Sequence, residues 1–367
     1  MKKDRNLILF MPFIGGGGVE KNLFLIANHL SKKLNKIIIC TLSKNKKKKF
    51  NDKIKFISTK KNFSNKLNIR LKYIICLFVL FKFLIKNKDS IVFAFQANIY
   101  CIILCKLLNI KVIVRSNSSP AGWYHNFIKK IIYKKIISLA DEVIVNSLDF
   151  KRQMENKFKI KTKCIFNPLN ISEIRKKSKH KIYNDYQSDK LKILNIGRLT
   201  DQKNQITLLR SINLLKNKIN LNLIIIGKGI EKTNLQKYIS DHNLRKFVKI
   251  KNFVENPYPF ILNSDLFILS SKYEGLPNVL LEAASLKKFI ISTDCPTGPR
   301  EILQNGKGGF LFEIGDYKKL SKLILFFSNN RKKLKTKINV TYKSLSKYDL
   351  NKNLAKYYST VSYYLKS

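Results

Sequence analysis

Acidic residues are scarce in this chain. Its 367 residues include 23 Asp plus Glu against 72 Lys plus Arg, a formal net charge of +49. Such an excess attracts polyanions. Three causes are open: a Lys-, Ile- and Asn-rich composition of the kind AT-rich coding produces, an anionic membrane partner, or nucleic acid. The last is set aside, because zinc-finger spacing and a basic region followed by heptads are missing and Lys far outnumbers Arg, the better reader of bases. The six cysteines, at 40, 76, 101, 105, 164 and 295, form no Cys-x-x-Cys motif, and several lie inside apolar runs. They read as reduced core thiols of a cytosolic protein. No Asp-x-Asp occurs, so a carboxylate-bridged metal clamping a diphosphate is not encoded. No cleavable signal pattern is read at the N-terminus, where charges lead into a short strand ending at Pro12. Leu71 to Ile85 is strongly apolar but carries Lys72 and Lys82, and it is shorter than a span of ~20 residues. It is expected to form a buried core helix, with a membrane-dipping helix as the alternative.

What is present is a regular alternation. Hydrophobic residues make up 45% of the chain, which excludes disorder, and the length suffices for two domains with full cores. Apolar runs at Asn6–Met11, Ile37–Thr41, Ile54–Ser58, Ile91–Phe95, Val112–Arg115 and Val143–Asn146 are mostly separated by helical stretches. In the first of these, Val19, Leu23, Ile26, Ala27, Leu30 and Leu34 share one face. The pattern pauses over a polar, Lys-rich linker at about 167–190 and restarts with Ile193–Ile196, Leu223–Ile226, Val248–Lys251, Leu266–Leu269, Phe289–Ser292 and Gly309–Phe312. Two parallel sheets, each covered on both faces, are implied. Ligands of such sheets bind beyond the carboxyl ends of the strands, so the cleft between two such domains is the natural site.

The chemistry-bearing residues fall in the matching turns. Gly15-Gly16-Gly17-Gly18 closes the first strand, either as a tight turn or as a place where backbone approaches a ligand at a helix N-terminus. It fails the dinucleotide fingerprint at Glu20 and lacks a P-loop ending. Gly197-Arg198 opens a loop that also holds Lys203. A planar fork and a point charge five residues apart suit a diphosphate and the charge that grows as it leaves, although two solvated cations are the plain alternative. Gly227-Lys228-Gly229 ends another strand, and Glu231 there occupies the glycine position that an ATP-binding loop requires. Glu274 and Glu282 bracket Gly275-Leu276-Pro277-Asn278-Val279, with Pro277 placed in the first turn of a helix. A carboxylate, helix N-terminal amides and a second carboxylate together describe a pocket for a sugar, a diphosphate and a nucleoside. Asp294–Glu301 leads into a helix and either borders the sugar or simply forms a helix entry. From the first domain, Asn98 and Arg115 are expected to face the cleft as sugar or acceptor contacts. His29 and His125 have no spacing for a metal or a base. Phe127–Leu139 sets Ile128, Ile131, Ile132, Ile136 and Leu139 on one face, with Lys129, Lys130, Lys134 and Lys135 mostly opposite. That pattern suits an anionic interface and equally a helix docked on its sheet.

The Gly-rich opening turn, Gly197-Arg198 with Lys203, Gly227–Gly229 and Glu274…Glu282 occur in the order seen in retaining glycosyltransferases of family four. The sequence resembles that family over nearly its whole length, and the two glutamates around the Gly-Leu-Pro turn are the most specific part. The resemblance implies an α/β fold of the GT-B class, two Rossmann-like domains facing across a cleft. Residues 1–170 would form the acceptor-side domain, 171–345 the nucleotide-sugar domain, and 346–367 a helix packing back on the first. It implies that Arg198 and Lys203 bind the donor diphosphate, that Glu274 holds sugar hydroxyls and that Glu282 holds the ribose. Gly16 and Gly17 would approach the reacting centre. Gly197, Gly227 and the Gly275–Val279 segment (Leu276, Pro277 and Asn278 between) would meet the donor, and Val254, within Asn252–Glu255, would lie near the base. Many relatives place a histidine on a first-domain loop by the sugar; the candidate loops here hold Gln96, Asn98 and Arg115. The Asp294–Glu301 run resembles the branch that builds bacterial surface polysaccharides on lipid carriers.

The implied activity is transfer, with retained anomeric configuration, of a hexose or N-acetylhexosamine from a nucleotide-diphosphate sugar, UDP foremost, to a lipid-linked saccharide. No cofactor, metal or nucleic acid is expected. The expected location is cytoplasmic, attached peripherally to an anionic membrane surface. A nucleotide-sugar epimerase of the same fold and a non-catalytic membrane binder are the alternatives. The first would need acidic and histidine groups near the sugar carbon, and the second leaves Glu274, Glu282, Arg198 and Lys203 without a role.

Overall fold

Val, Ile, Leu and Phe crowd every run read as a strand, as suits strands buried on both faces. The computed structural model describes residues 5–59, 68–117, 127–181 and 190–367. It divides into two units, residues 1–168 with 350–367, and residues 169–349.

The first unit runs β1 (Asn6–Phe10), α1 (Gly18–Leu30), β2 (Ile37–Cys40), β3 (Lys55–Ile57), α2 (Ile69–Lys86), β4 (Ser90–Ala94), α3 (Asn98–Leu107), β5 (Lys111–Arg115), α4 (Phe127–Ile137), β6 (Glu142–Val145), α5 (Leu148–Phe158) and β7 (Lys163–Cys164). The strands form one parallel sheet in the order β3-β2-β1-β4-β5-β6-β7. Because side chains alternate along a strand, Ile8 and Phe10 point into one core layer and Leu7 and Leu9 into the other. α2, α3, α4 and α5 cover the first face, through residues such as Leu80, Ile102, Ile137 and Phe150. α1 covers the second with Leu23, Ile26 and Leu30.

The second unit runs α6 (Ile171–Ser178), β8 (Leu191–Ile196), α7 (Gln205–Leu215), β9 (Leu221–Ile226), α8 (Lys232–Asp241), β10 (Val248–Lys251), α9 (Tyr258–Asn263), β11 (Leu266–Leu269), α10 (Asn278–Ser285), β12 (Phe289–Thr293), α11 (Pro299–Ile302), β13 (Phe310–Phe312), α12 (Tyr317–Asn330) and α13 (Lys335–Ser344). Its parallel sheet has the order β10-β9-β8-β11-β12-β13. The chain then returns. α14 (Leu350–Lys366) lays Leu354, Tyr357 and Val361 into the same core layer as α1. Strand β7, only two residues long, escaped the periodicity reading because two residues show no period.

One helix expectation needs correction. Leu71–Ile85 is not a buried core helix. α2 buries Lys72, Cys76, Leu80 and Leu84, a stripe at every fourth residue, and leaves Ile69, Leu71, Ile74, Phe78 and Ile85 exposed. A helix resting on a sheet can hide only one stripe, so apolar residues all round it must face outward on the other side. In α4 the buried residues are Tyr133 and Ile137, while Ile128, Ile131, Ile132 and the following Leu139 are exposed. Ile128, Ile131, Ile132 and Leu139 therefore point away from the sheet, while Ile136 packs partly against the core. Among the described residues, no helix is long and apolar enough to cross a membrane.

Candidate active site

In the second sheet the chain direction of build-up reverses between β8 and β11, which lie side by side. Such a switch point is where open α/β sheets place a ligand crevice, at the carboxyl ends of the strands. Both loops carry the residues singled out above.

After β8 comes Gly197, then exposed Arg198, then a short turn ending at Lys203. The Gly197 backbone lies against the stem of Lys203, since a Cβ there would sit 3.5 Å from Lys203 Cδ. Gln202 Nε2 donates to the Tyr273 carbonyl (3.0 Å), Lys272 N donates to the Gln202 carbonyl (2.8 Å), and Ser270 Oγ donates to the Lys203 carbonyl (2.9 Å). These bonds stitch the β8 loop to the β11 loop. Across the seam, Lys203 Nζ stands 2.5 Å from Glu274 Oε1, with side-chain exposures of 14% and 9%. Arg198 is steered by Gln202, whose Oε1 accepts from its guanidinium at 3.1 Å.

Glycine is required where the loops touch. A Cβ on Gly227 would fall 1.9 Å from the Gly197 carbonyl oxygen, so the β8 and β9 loops pack backbone to backbone. Val254 follows β10, in the segment Asn252–Glu255. Pro277 is the N-cap of α10 and not its first helical residue, one position short of the expectation, and contributes no side-chain cap. The positive end of α10 therefore opens just after Glu274, Gly275 and Leu276, with Asn278 and Val279 in its first turn. Glu282 lies in the following turn, 3% exposed.

A third loop, after β12, cradles Glu274. Glu274 N donates to the Pro296 carbonyl and Thr297 Oγ1 donates to the Glu274 carbonyl (2.6 Å). Gly298 adopts φ +89°, and a Cβ there would meet the Gly275 carbonyl oxygen at 2.5 Å. Pro299 then starts α11. Burial, with the Glu274 charge adding to it, pushes the Cys295 thiol up to about 12, so it stays protonated beside the ion pair. Gln202 and Thr297 lie inside the Gly197–Lys203 and Asp294–Glu301 runs but had no role of their own there, and Ser270 carried no motif. The only signal of Ser270 was a polar residue just past a buried apolar strand.

The first-unit residues fare differently. Gly16, at φ +99°, and Gly17, the N-cap of α1, form the opening turn. Glu20 folds back onto it, its Oε1 accepting from Gly15 N at 3.1 Å, so a carboxylate already rests at that helix N-terminus. Arg115 is corrected from an acceptor contact to a structural residue. It is 0% exposed, and its Nε donates to the Tyr357 hydroxyl (2.9 Å) while its terminal nitrogens donate to Asn117 and Asn167. A cation with every nitrogen engaged inside the fold has nothing left to offer a sugar. Asn98 begins α3 and spends its amide on the Arg115 carbonyl (3.0 Å), while its Oδ1 is buried without a hydrogen bond. His29 lies on α1, its ring held below the usual histidine range by burial and by Lys33 and Lys32. His125 lies outside the described residues.

The arrangement can hold an anion against Lys203, whose three N–H donors allow it to serve both Glu274 and an incoming phosphate. Glu274 can accept hydroxyl protons beside it.

Residues 176–344 match the family model described as glycosyl transferases group 1. An uncharacterized glycosyltransferase of Methanocaldococcus jannaschii is 39% identical over 206 residues, 53% of this chain and 51% of that protein. The Campylobacter jejuni N-acetylgalactosamine-N,N'-diacetylbacillosaminyl-diphospho-undecaprenol 4-alpha-N-acetylgalactosaminyltransferase is 28% identical over 258 residues, 67% of this chain and 69% of that one. The chain thus spans about half the length of the first of these curated relatives. Among solved structures, HepE of Anabaena in complex with UDP and glucose is similar at a TM-score of 0.78 and 16% identity, covering 98% of this chain and 99% of that one. The fold is that of the GT-B glycosyltransferases.

Proposed function

We propose that this chain, which matches the group 1 glycosyl transferases over residues 176–344, moves a hexose or N-acetylhexosamine from a UDP-sugar to a lipid-linked saccharide during surface-polysaccharide synthesis, with the anomeric configuration retained. The observation that carries the reading is the largely buried Lys203–Glu274 pair at the β8/β11 switch point. Lys203 and Arg198 bind the donor diphosphate and stabilise the charge that develops as it departs. Glu274 orients the sugar through its hydroxyls, Glu282 takes the ribose, and the Gly275–Val279 turn with Gly197 and Gly227 closes around the phosphates. Val254 lies by the base. The departing phosphate accepts the proton of the attacking hydroxyl on the same face of the sugar, so no protein nucleophile is needed.

The charge work is done by Lys203, Arg198 and the α10 amides, and the reaction is expected to proceed in chelator. The lipid-linked acceptor is supported by the diphospho-undecaprenol named for the Campylobacter jejuni relative, and the polymer context by capsular and lipopolysaccharide-core relatives. With such an acceptor, the enzyme works attached peripherally to the cytoplasmic membrane face. The test incubates the full chain with labelled UDP-sugars and bacterial lipid extract in EDTA. Label passing into the lipid phase, with an α-linked product from an α-linked donor, is the expected result. Failure of every UDP-sugar to bind, or a product of inverted configuration, overturns the reading.

A further inference from the structure

We propose that the outer face of the α2–α3–α4 layer in the first unit is a docking surface for an anionic lipid bilayer. The three helices pack side by side, α2 on α3 and α3 on α4. Their outward residues include Ile74 (62% exposed), Phe78, Ile103, Leu107 (79%), Ile128 (65%) and Ile132. Isolated exposed apolar residues are ordinary, but a contiguous set on three neighbouring helices is not.

The charge around that face selects the occupant. The segments Ile69–Lys86, Asn98–Leu107 and Phe127–Ile137 contain no Asp or Glu at all. They do contain Arg70, Lys72, Lys82, Lys86, Lys106, Lys129, Lys130, Lys134 and Lys135. Lys106 is balanced by Asp141, and Lys72 is buried over the Phe13 ring. Lys82, Lys86, Lys134 and Lys135 are exposed on these helices, whereas Lys130 reaches back over the Phe158 ring of α5. Lys82 lies over the Phe78 ring, 4.4 Å from its centroid, so its stem covers apolar surface while its charge reaches outward. A second copy of this chain would bring like charge against like charge. A bilayer with anionic headgroups offers acyl chains to the isoleucines and phosphates to the lysines at once. The surface serves the transferase reading by holding the enzyme where a lipid-linked acceptor resides, but its test does not depend on that reading.

Flotation of the full chain with phosphatidylcholine vesicles, with and without phosphatidylglycerol, reads the surface directly. Binding is expected only with phosphatidylglycerol, weakening as salt rises. The triple variant Ile74→Gln, Phe78→Gln, Ile132→Gln should lose binding by at least about tenfold, and so should Lys82→Ala with Lys134→Ala and Lys135→Ala. Both variants should keep the wild-type melting temperature and UDP affinity, since these side chains are exposed and lie outside the β8, β11 and β12 loops. A wild-type chain that ignores anionic vesicles, or variants that float as well as wild type, would refute the proposal. So would a concentration-dependent dimer abolished by the triple variant. Loss of UDP binding in the wild type would instead count against the transferase reading alone.

Discussion

Replacing Lys203 by Met should separate what the ion pair does for the fold from what it does for the reaction. The substitution keeps the stem that lies against Gly197 and removes only the charge. Glu274, with its side chain 9% exposed, is then left without the cation 2.5 Å away. Removing one member of a fully buried pair costs about 3–5 kcal/mol, and the partial exposure of Lys203 lowers this to about 2–3 kcal/mol. In a unit of about 180 residues each kcal/mol moves the melting temperature by about 2–4 °C, so a fall of roughly 4–12 °C is expected. Glu274→Gln should cost less, because a neutral amide tolerates burial and Lys203 can turn to solvent. The double variant should recover at least about 1 kcal/mol relative to the sum of the singles, the coupling expected of groups in contact. Activity should not recover. Each lost charge-stabilising donor is expected to lower transfer by about 100- to 1000-fold, and the double variant should be as inactive as the worse single. Differential scanning fluorimetry and a labelled-donor transfer assay measure the two arms. A Lys203→Met protein with wild-type stability would show that the pair contributes nothing to the fold. Near-normal transfer by the same protein would remove Lys203 from the diphosphate site.

Three further outcomes are expected. Arg115→Met should destabilise the first unit by about 2–4 kcal/mol, because Asn117, Asn167 and Tyr357 lose their shared donor, yet leave KM for the donor unchanged; a raised KM with intact stability would restore Arg115 to the site. Gly298→Ala forces a side chain into φ +89° and toward the Gly275 carbonyl, which should cost about 1–3 kcal/mol and raise KM for the donor by displacing Glu274; unaltered kinetics would detach that loop from the pocket. Stability should decline with alkali. The folded state raises the Cys295 thiol from 9.0 to about 12 and the Tyr364 phenol from 10.0 to about 12. Their folded forms hold protons that the unfolded chain has released, so the contribution is complete below pH 9 and is lost as pH climbs toward 12. Denaturant titrations at pH 8 and pH 10.5 should show the difference shrinking in Cys295→Ala, and an equal slope in both proteins would contradict the burial argument.

The strands and the switch-point loops were legible because their signals are local. Leu266–Leu269 is apolar without interruption, and the polar turn after it announces itself by composition. Glu274 and Lys203, 71 positions apart, were each recognisable in their own turns, and the sheet order brings them together. What escaped the sequence depended on neighbours far along the chain. Arg115 looked like a strand-end cation aimed at a ligand, and partners including Asn167 and Tyr357, the latter 242 positions away, turn it inward. The burial of α2 was misjudged because hydropathy reports how apolar a helix is and not how much of it a sheet can cover. Glu20 entered the reading only as a misfit to a fingerprint, and its fold-back onto Gly15 is a tertiary choice no spacing rule encodes.

The return of α14 to the first sheet has a consequence for biosynthesis. A ribosome releases residues 169–349 before it finishes the helix that completes the layer shared by Leu23, Ile26, Phe93 and Tyr357. During that interval the earlier-made half carries an uncovered apolar floor and a guanidinium at Arg115 still waiting for its phenol. The first sheet's layer therefore stays incomplete until α14 leaves the ribosome, and the nascent chain should need chaperone shelter over its N-terminal portion until then.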